Sequence, residues 1–278
     1  MRITVPTPLG DTAVRCEGPP GAPAVLLLHA NPGDGRDYDA VLAALAGRHR
    51  TYVVDWPGYG DSTAPDPRLV SPEGLVEVAE RVLAALDGED AVTVIGNSVG
   101  GYVACRLAEG AYAARIAGLV LVDPAGFTPQ NAVTRWFCRE VMGRPAVARH
   151  LVVPLARAYL GARRTPSARA TFERVRRLPH RGEQLAVHCA IWRGFADPGF
   201  GPKDPAAIDV PVLLLWGLRD PVVPVFLDGR RARRTLPRHT VSVLLPTAHE
   251  PYNERPDLFL RHTLAFLADP RAFTPSRR

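Results

Sequence analysis

Apolar residues gather along this chain in short unbroken runs. Ala24–His29, Thr51–Asp55, Val92–Gly96, Gly118–Asp123 and Val212–Gly217 each read as a strand whose two faces are both covered, the form that a parallel sheet between two helical layers requires. Thr240–Leu245 reads as a sixth strand with a more mixed pattern. Between the runs, apolar residues recur at helical spacing over Tyr38–Ala46, Pro72–Leu86, Val99–Glu109 and Pro256–Leu267. The second of these helices carries its own punctuation: Ser71 as cap, Pro72 at the first helical position, Glu73 against the dipole and Gly88 as a stop. A hairpin around Ile3–Val5 and Thr12–Arg15, turning at Leu9-Gly10-Asp11, is expected in front of the first buried strand. The last four residues, 275–278, read as a frayed tail.

Strands alternating with helices predict an α/β protein with a mostly parallel sheet flanked by helices. Residues 124–205 break the alternation, showing helical patterns and no convincing strand. A structureless segment of that length is improbable inside a compact domain. The expectation is therefore a core of residues 1–123 and 206–278 and a helical lid subdomain of residues 124–205.

Composition narrows the class. At 278 residues with 46 % hydrophobic content the chain can bury a large core. No apolar run approaches the roughly 20 residues of a membrane span. The first eight residues lack an apolar segment of signal type, so a cytoplasmic protein is expected. Cys16, Cys105, Cys138 and Cys189 are far apart, with no metal-type pairing, and are expected to be free thiols; no metal or cofactor site is expected. The net charge of +6 is unevenly spread: 13 arginines and Lys203 face five carboxylates in the lid segment, a net of +9, so the rest carries −3. No nucleic-acid recognition pattern accompanies this charge, so no nucleic-acid partner is expected.

The chemistry centres on Gly96-Asn97-Ser98-Val99-Gly100-Gly101, where a β-branched strand turns sharply into a helix. Small residues on either side of Ser98 let strand and helix approach closely, presenting the hydroxyl at the sheet's C-terminal edge and at a helix N-terminus. A serine hydroxyl needs a base, itself oriented by an acid. His249, in the loop after the last strand and ahead of the final helix, is the base among the eight histidines. Asp220, after the preceding strand, is the favoured acid, and Asp123, which ends the strand before that, is its competitor. The oxyanion donors are expected to be the backbone N–H groups of Val99 and Asn31, the Asn31 side chain being either a further donor or bonded to local backbone, while His29 reads as structural. Trp136, Trp192 and Arg193 of the lid are the expected substrate contacts, Arg193 and the basic lid suggesting an anionic small-molecule substrate.

Taken with the His29-Ala30-Asn31-Pro32-Gly33 loop and Asp55-Trp56-Pro57-Gly58-Tyr59-Gly60-Asp61-Ser62, these motifs resemble the α/β-hydrolase superfamily with a helical cap, over nearly the whole chain. The chain order Ser98, Asp220, His249 matches the order on that scaffold. Ala30 departs from the glycine usual after the loop histidine. The His-x-Asn-Pro loop is similar to that of haloalkane dehalogenases, and the general character to epoxide hydrolases, but both use an aspartate where this chain has Ser98. The resemblance implies a serine hydrolase acting on an ester, thioester or lactone. A carbon–carbon bond hydrolase of the meta-cleavage type, a non-hydrolytic elimination or cyclisation enzyme, and a ligand-binding receptor on the same scaffold are the alternatives.

Overall fold

The structure, a computed structural model, describes residues 1–86, 88–89 and 91–274; the tail at 275–278 lies outside the described residues. A hairpin of β1 (Arg2–Thr7) and β2 (Gly10–Glu17) precedes β3 (Ala24–Leu28), α1 (Asp39–Ala46), β4 (Arg50–Val54), α2 (Pro72–Ala85), β5 (Val92–Asn97), α3 (Val99–Glu109) and β6 (Ile116–Val122). Then come α4 (Ala132–Trp136), α5 (Pro145–Tyr159), α6 (Pro166–Arg177) and α7 (Gly182–Gly194), with a π-helical turn over Phe137–Val141 after α4. The chain returns to the sheet with β7 (Val212–Gly217), α8 (Arg230–Thr235), β8 (Val241–Leu245), α9 (Pro251–Glu254) and α10 (Pro256–Ala268).

The eight strands lie in the order β1-β2-β4-β3-β5-β6-β7-β8, antiparallel at the hairpin end and parallel from β4 to β8. The unbroken apolar runs have a direct cause here. Successive side chains of a strand point to opposite faces, and both faces are buried. Leu26, Leu28, Val94, Leu119, Leu121 and Leu214 enter one core under α2 and α3. Val25, Leu27, Ile95, Val120, Leu213 and Leu215 enter the other, under α1 and α10. At the sheet edge β8 shows the mixed pattern its sequence suggested, burying Val243 and Leu245 while Leu244 is exposed.

Helices α4 to α7 fill the interval between β6 and β7, and α5 to α7 share a small apolar core of their own, including Ala148, Val152, Ala156, Leu178 and Leu185. Polar contacts fasten this layer to the sheet's C-terminal edge. The Tyr159 carbonyl accepts from the His249 N–H at 2.9 Å, and the Thr165 hydroxyl donates to the Asn253 carbonyl at 2.6 Å. Arg174 of α6 pairs with Asp37, which is fully buried beside α1. All four cysteines are free, as expected, and no helix among the described residues is long and apolar enough to cross a membrane.

Candidate active site

Strand β5 ends at Asn97 and α3 starts at Val99, so Ser98 alone makes the turn between them. Its φ of 55° and ψ of −116° are rare for a residue with a side chain. The conformation is held from three sides. The Ser98 N–H donates to the Val122 carbonyl at 3.1 Å, and the Ser98 carbonyl accepts from Ala125 at 2.9 Å and Tyr102 at 3.0 Å. The flanking glycines are dictated by contact: a Cβ on Gly96 would stand 2.2 Å from the Gly100 carbonyl oxygen, and one on Gly100 would stand 2.2 Å from that of Leu28.

The loops after β7 and β8 bring an acid to a histidine. His249 Nδ1 lies 2.6 Å from Asp220 Oδ2, while Asp220 Oδ1 accepts from the Val222 and Val223 N–H groups at 2.7 and 3.2 Å. Both side chains are buried. The rival acid, Asp123, is close without being His249's partner: one ligand atom each from Asp123, Asp220 and His249 falls within a 4.8 Å group. Asp123 Oδ1 instead accepts from the Gly217 N–H at 2.8 Å. Complete burial and the neighbouring Asp220 carboxylate push the Asp123 pKa well above its ordinary value. With His249 Nδ1 and Asp123 Oδ1 already committed to hydrogen bonds, the trio reads as a proton-holding network rather than a metal centre.

Asn97 belongs to this network, and the sequence reading passed over it. Its Nδ2 donates to the Val122 and His249 carbonyls at 2.9 and 3.1 Å, and its Oδ1 accepts from the Tyr252 hydroxyl at 2.9 Å. It thereby ties the ends of β5 and β6 to the histidine loop. The available signal was a carboxamide ending an otherwise apolar strand, a position where a buried polar group must find partners.

The loop after β3 is organised by His29, whose ring is structural as expected: Nε2 accepts from the Trp56 N–H at 2.9 Å and Nδ1 lies 2.7 Å from the Ala30 carbonyl. Among the described residues the Asn31 N–H has no hydrogen-bond partner. Val99, as the first residue of α3, has no helical carbonyl one turn behind it. The Asn31 side chain bonds to protein groups through both its oxygen and its nitrogen. Its Oδ1 accepts from the Tyr59 hydroxyl at 2.6 Å and one Nδ2–H donates to the His188 carbonyl at 3.3 Å, linking this loop to Tyr59 and to α7.

Ser98, His249, Ala30 and Asn31 line a cavity of about 340 Å³ roofed by residues of α4, α5 and α7. Trp192 and Trp136 both line it, Trp136 being 59 % exposed and so at its mouth. No Asp, Glu, Lys or Arg is among the lining residues. Arg193 is therefore a correction: it lies outside this cavity and donates to the Gly143 carbonyl at 2.7 Å. Adjacent residues of a helix point about 100° apart, so a helix that turns Trp192 inward turns Arg193 away. Arg193 instead lines a surface cleft of about 660 Å³ with Arg68, Arg139 and Arg144, which contains neither Ser98 nor His249.

A family model described as alpha/beta hydrolase family matches residues 25–262. The structure is similar to that of a thermophilic esterase from Thermogutta terrifontis, at 25 % identity and a TM-score of 0.78, covering 98 % of this chain and 100 % of that one. An uncharacterised protein of Mycobacterium tuberculosis is 25 % identical over 256 residues, 86 % of this chain and 73 % of its own length. A pimeloyl-[acyl-carrier protein] methyl ester esterase of Vibrio atlanticus is 24 % identical over 270 residues, 88 % of this chain and 94 % of its own length.

Proposed function

This chain belongs to the alpha/beta hydrolase family, and on that premise we propose that it is a serine hydrolase cleaving an ester, thioester or lactone of an uncharged, small to medium organic molecule. The observation that carries the reading is a buried Asp220–His249 pair, 2.6 Å apart, opening onto the same cavity as a serine on a strained strand-to-helix turn. Esterases among its relatives support it.

In this reading Ser98 Oγ attacks the substrate carbonyl carbon while its proton passes to His249 Nε2. Asp220 holds the ring by Nδ1–H and stabilises the imidazolium that forms. The Asn31 and Val99 N–H groups take the charge that develops on the carbonyl oxygen. Collapse expels the alcohol, thiol or lactone oxygen, which takes the proton from His249. A water, deprotonated by the same histidine, then cleaves the acyl–Ser98 bond. Residues 124–205 act as the cap, supplying most of the apolar wall. An anionic group would enter a wall with no fixed cation to meet it, at a desolvation cost that a neutral group avoids. The cations of residues 124–205 thus lie outside the lining of the cavity.

The test is covalent labelling with a fluorophosphonate, together with turnover of p-nitrophenyl butyrate. Wild type is expected to be labelled at Ser98. Ser98→Ala is expected to lose the label and about 10³-fold or more in kcat. Turnover of Ser98→Ala within about tenfold of wild type would refute the covalent reading.

A further inference from the structure

We propose that His188 and Trp192, on successive turns of α7, form a subsite for an uncharged hydroxyl group on the molecule that occupies the cavity. The inference deepens the proposed function, since it rests on reading this cavity as the substrate pocket.

Both residues line the cavity and both are buried. The hydrogen-bonding character of His188 follows from its neighbours. Asn31 Nδ2 donates to the His188 carbonyl, and Asn31 Oδ1 accepts from Tyr59, so it is the oxygen of the amide that lies 3.2 Å from His188 Nδ1. Two lone pairs cannot bond each other, so Nδ1 carries the ring proton and Nε2 is left as an acceptor. Burial pushes the His188 pKa down to about 3, which keeps the ring in that neutral form at ordinary pH. Trp192 Nε1–H can only donate. Neither His188 Nε2 nor Trp192 Nε1 has a hydrogen-bond partner in the protein, although buried polar atoms are nearly always paired.

The two rings stand in a T-shaped arrangement with centroids 6.3 Å apart. A group that donates and accepts through a single atom is a hydroxyl: its hydrogen serves Nε2 and its oxygen takes Nε1–H. A methyl group satisfies neither atom. A carboxylate only accepts, so it would set its charge against the Nε2 lone pair inside an apolar wall. The subsite therefore selects by the number and kind of hydrogen bonds, the kind of discrimination that an apolar pocket alone supplies poorly.

The experiment measures binding rather than turnover, by titration calorimetry on Ser98→Ala protein with 4-ethylphenol, 4-ethyltoluene and 4-ethylbenzoate. The phenol is expected to bind at least about tenfold more tightly than the toluene, the effect of about 1.4 kcal/mol of hydrogen bonding, and the benzoate most weakly. Trp192→Phe, added to that background, removes the donor. His188→Asn keeps an N–H for Asn31 and removes the acceptor. Each should reduce the phenol-to-toluene ratio to about threefold or less, within the effect of one hydrogen bond. Equal binding of phenol and toluene, tightest binding of the benzoate, or a ratio that survives both substitutions would overturn the subsite. Fluorophosphonate labelling of Ser98 is read separately. Normal labelling without hydroxyl preference rejects the subsite alone, and hydroxyl preference without labelling rejects the nucleophile alone.

Discussion

Replacing Asn97 with alanine tests whether the histidine loop is held by the strand that carries Ser98. The wild-type carboxamide makes three hydrogen bonds, all buried: to the Val122 and His249 carbonyls and from the Tyr252 hydroxyl. Val122 keeps another partner after the substitution, because its carbonyl also accepts from the Ser98 N–H. The His249 carbonyl and the Tyr252 hydroxyl are stranded. At about 1–3 kcal/mol for each buried group left unsatisfied, the expected loss is about 4 kcal/mol. For a chain of this size that corresponds to a fall in Tm of roughly 8–12 °C. Loss of the anchor on the His249 backbone should lower kcat for p-nitrophenyl butyrate more than it raises KM, since an ill-placed base weakens the transition state while leaving the apolar wall intact. Thermal and urea unfolding give the stability; kinetics are read well below the variant's Tm. Tyr252→Phe, which strands only Asn97 Oδ1, should cost about half as much. Destabilisation under about 1 kcal/mol with wild-type kcat would refute the network as the support of the loop.

Asp220→Asn is expected to lower kcat by about 10⁴, as removal of the acid that holds the base does, while Asp123→Asn stays near wild type; the reverse ranking would make Asp123 the acid. Asp123→Asn also has a pH signature: the raised pKa means that the folded protein keeps a proton which the unfolded chain releases. That contribution is complete below the ordinary value of 3.8 and is lost as pH rises toward the folded-state value. The variant should therefore gain stability relative to wild type as pH rises from 5 to 8 in urea unfolding, and a difference that does not change with pH over that range would mean that Asp123 is ionised in the folded protein. Gly100→Ala drives a Cβ to 2.2 Å from the Leu28 carbonyl oxygen, so a loss of about 3 kcal/mol and of Ser98 labelling is expected; a soluble, fully labelled variant with wild-type Tm would refute the contact. Arg193→Ala should cost about 1 kcal/mol through the lost bond to Gly143 and leave the ratio of kcat/KM for neutral and anionic esters unchanged; a changed ratio would return Arg193 to the cavity.

Local signals carried much of this molecule. Unbroken apolar runs marked the buried strands because a strand covered on both faces has no polar side to show, and Val212–Gly217 and Val99–Glu109 coincide with β7 and α3 to the residue. The small residues around Ser98 marked its turn because the approach of β3, β5 and α3 leaves no space for a Cβ there. Such features are set by neighbours a few residues apart, and so are written in the sequence. Which groups meet across the fold is not. Asp220 and Asp123 both follow strands and both reach the His249 region, and only the packing of the loops after β7 and β8 gave Nδ1 to Asp220 and left Asp123 buried against Gly217. Asn97 and His249 are 152 positions apart, so the bond between them has no local periodicity to announce it. Trp192 and Arg193 are equally plausible pocket residues on paper, and the rotation of α7 against the sheet decided between them, sending the tryptophan to the cavity and the arginine to Gly143. The same packing placed the cations of residues 124–205 outside an uncharged wall, because a buried arginine without a partner would cost more than its burial returns, and net charge along a segment says nothing about which side of a helix faces in.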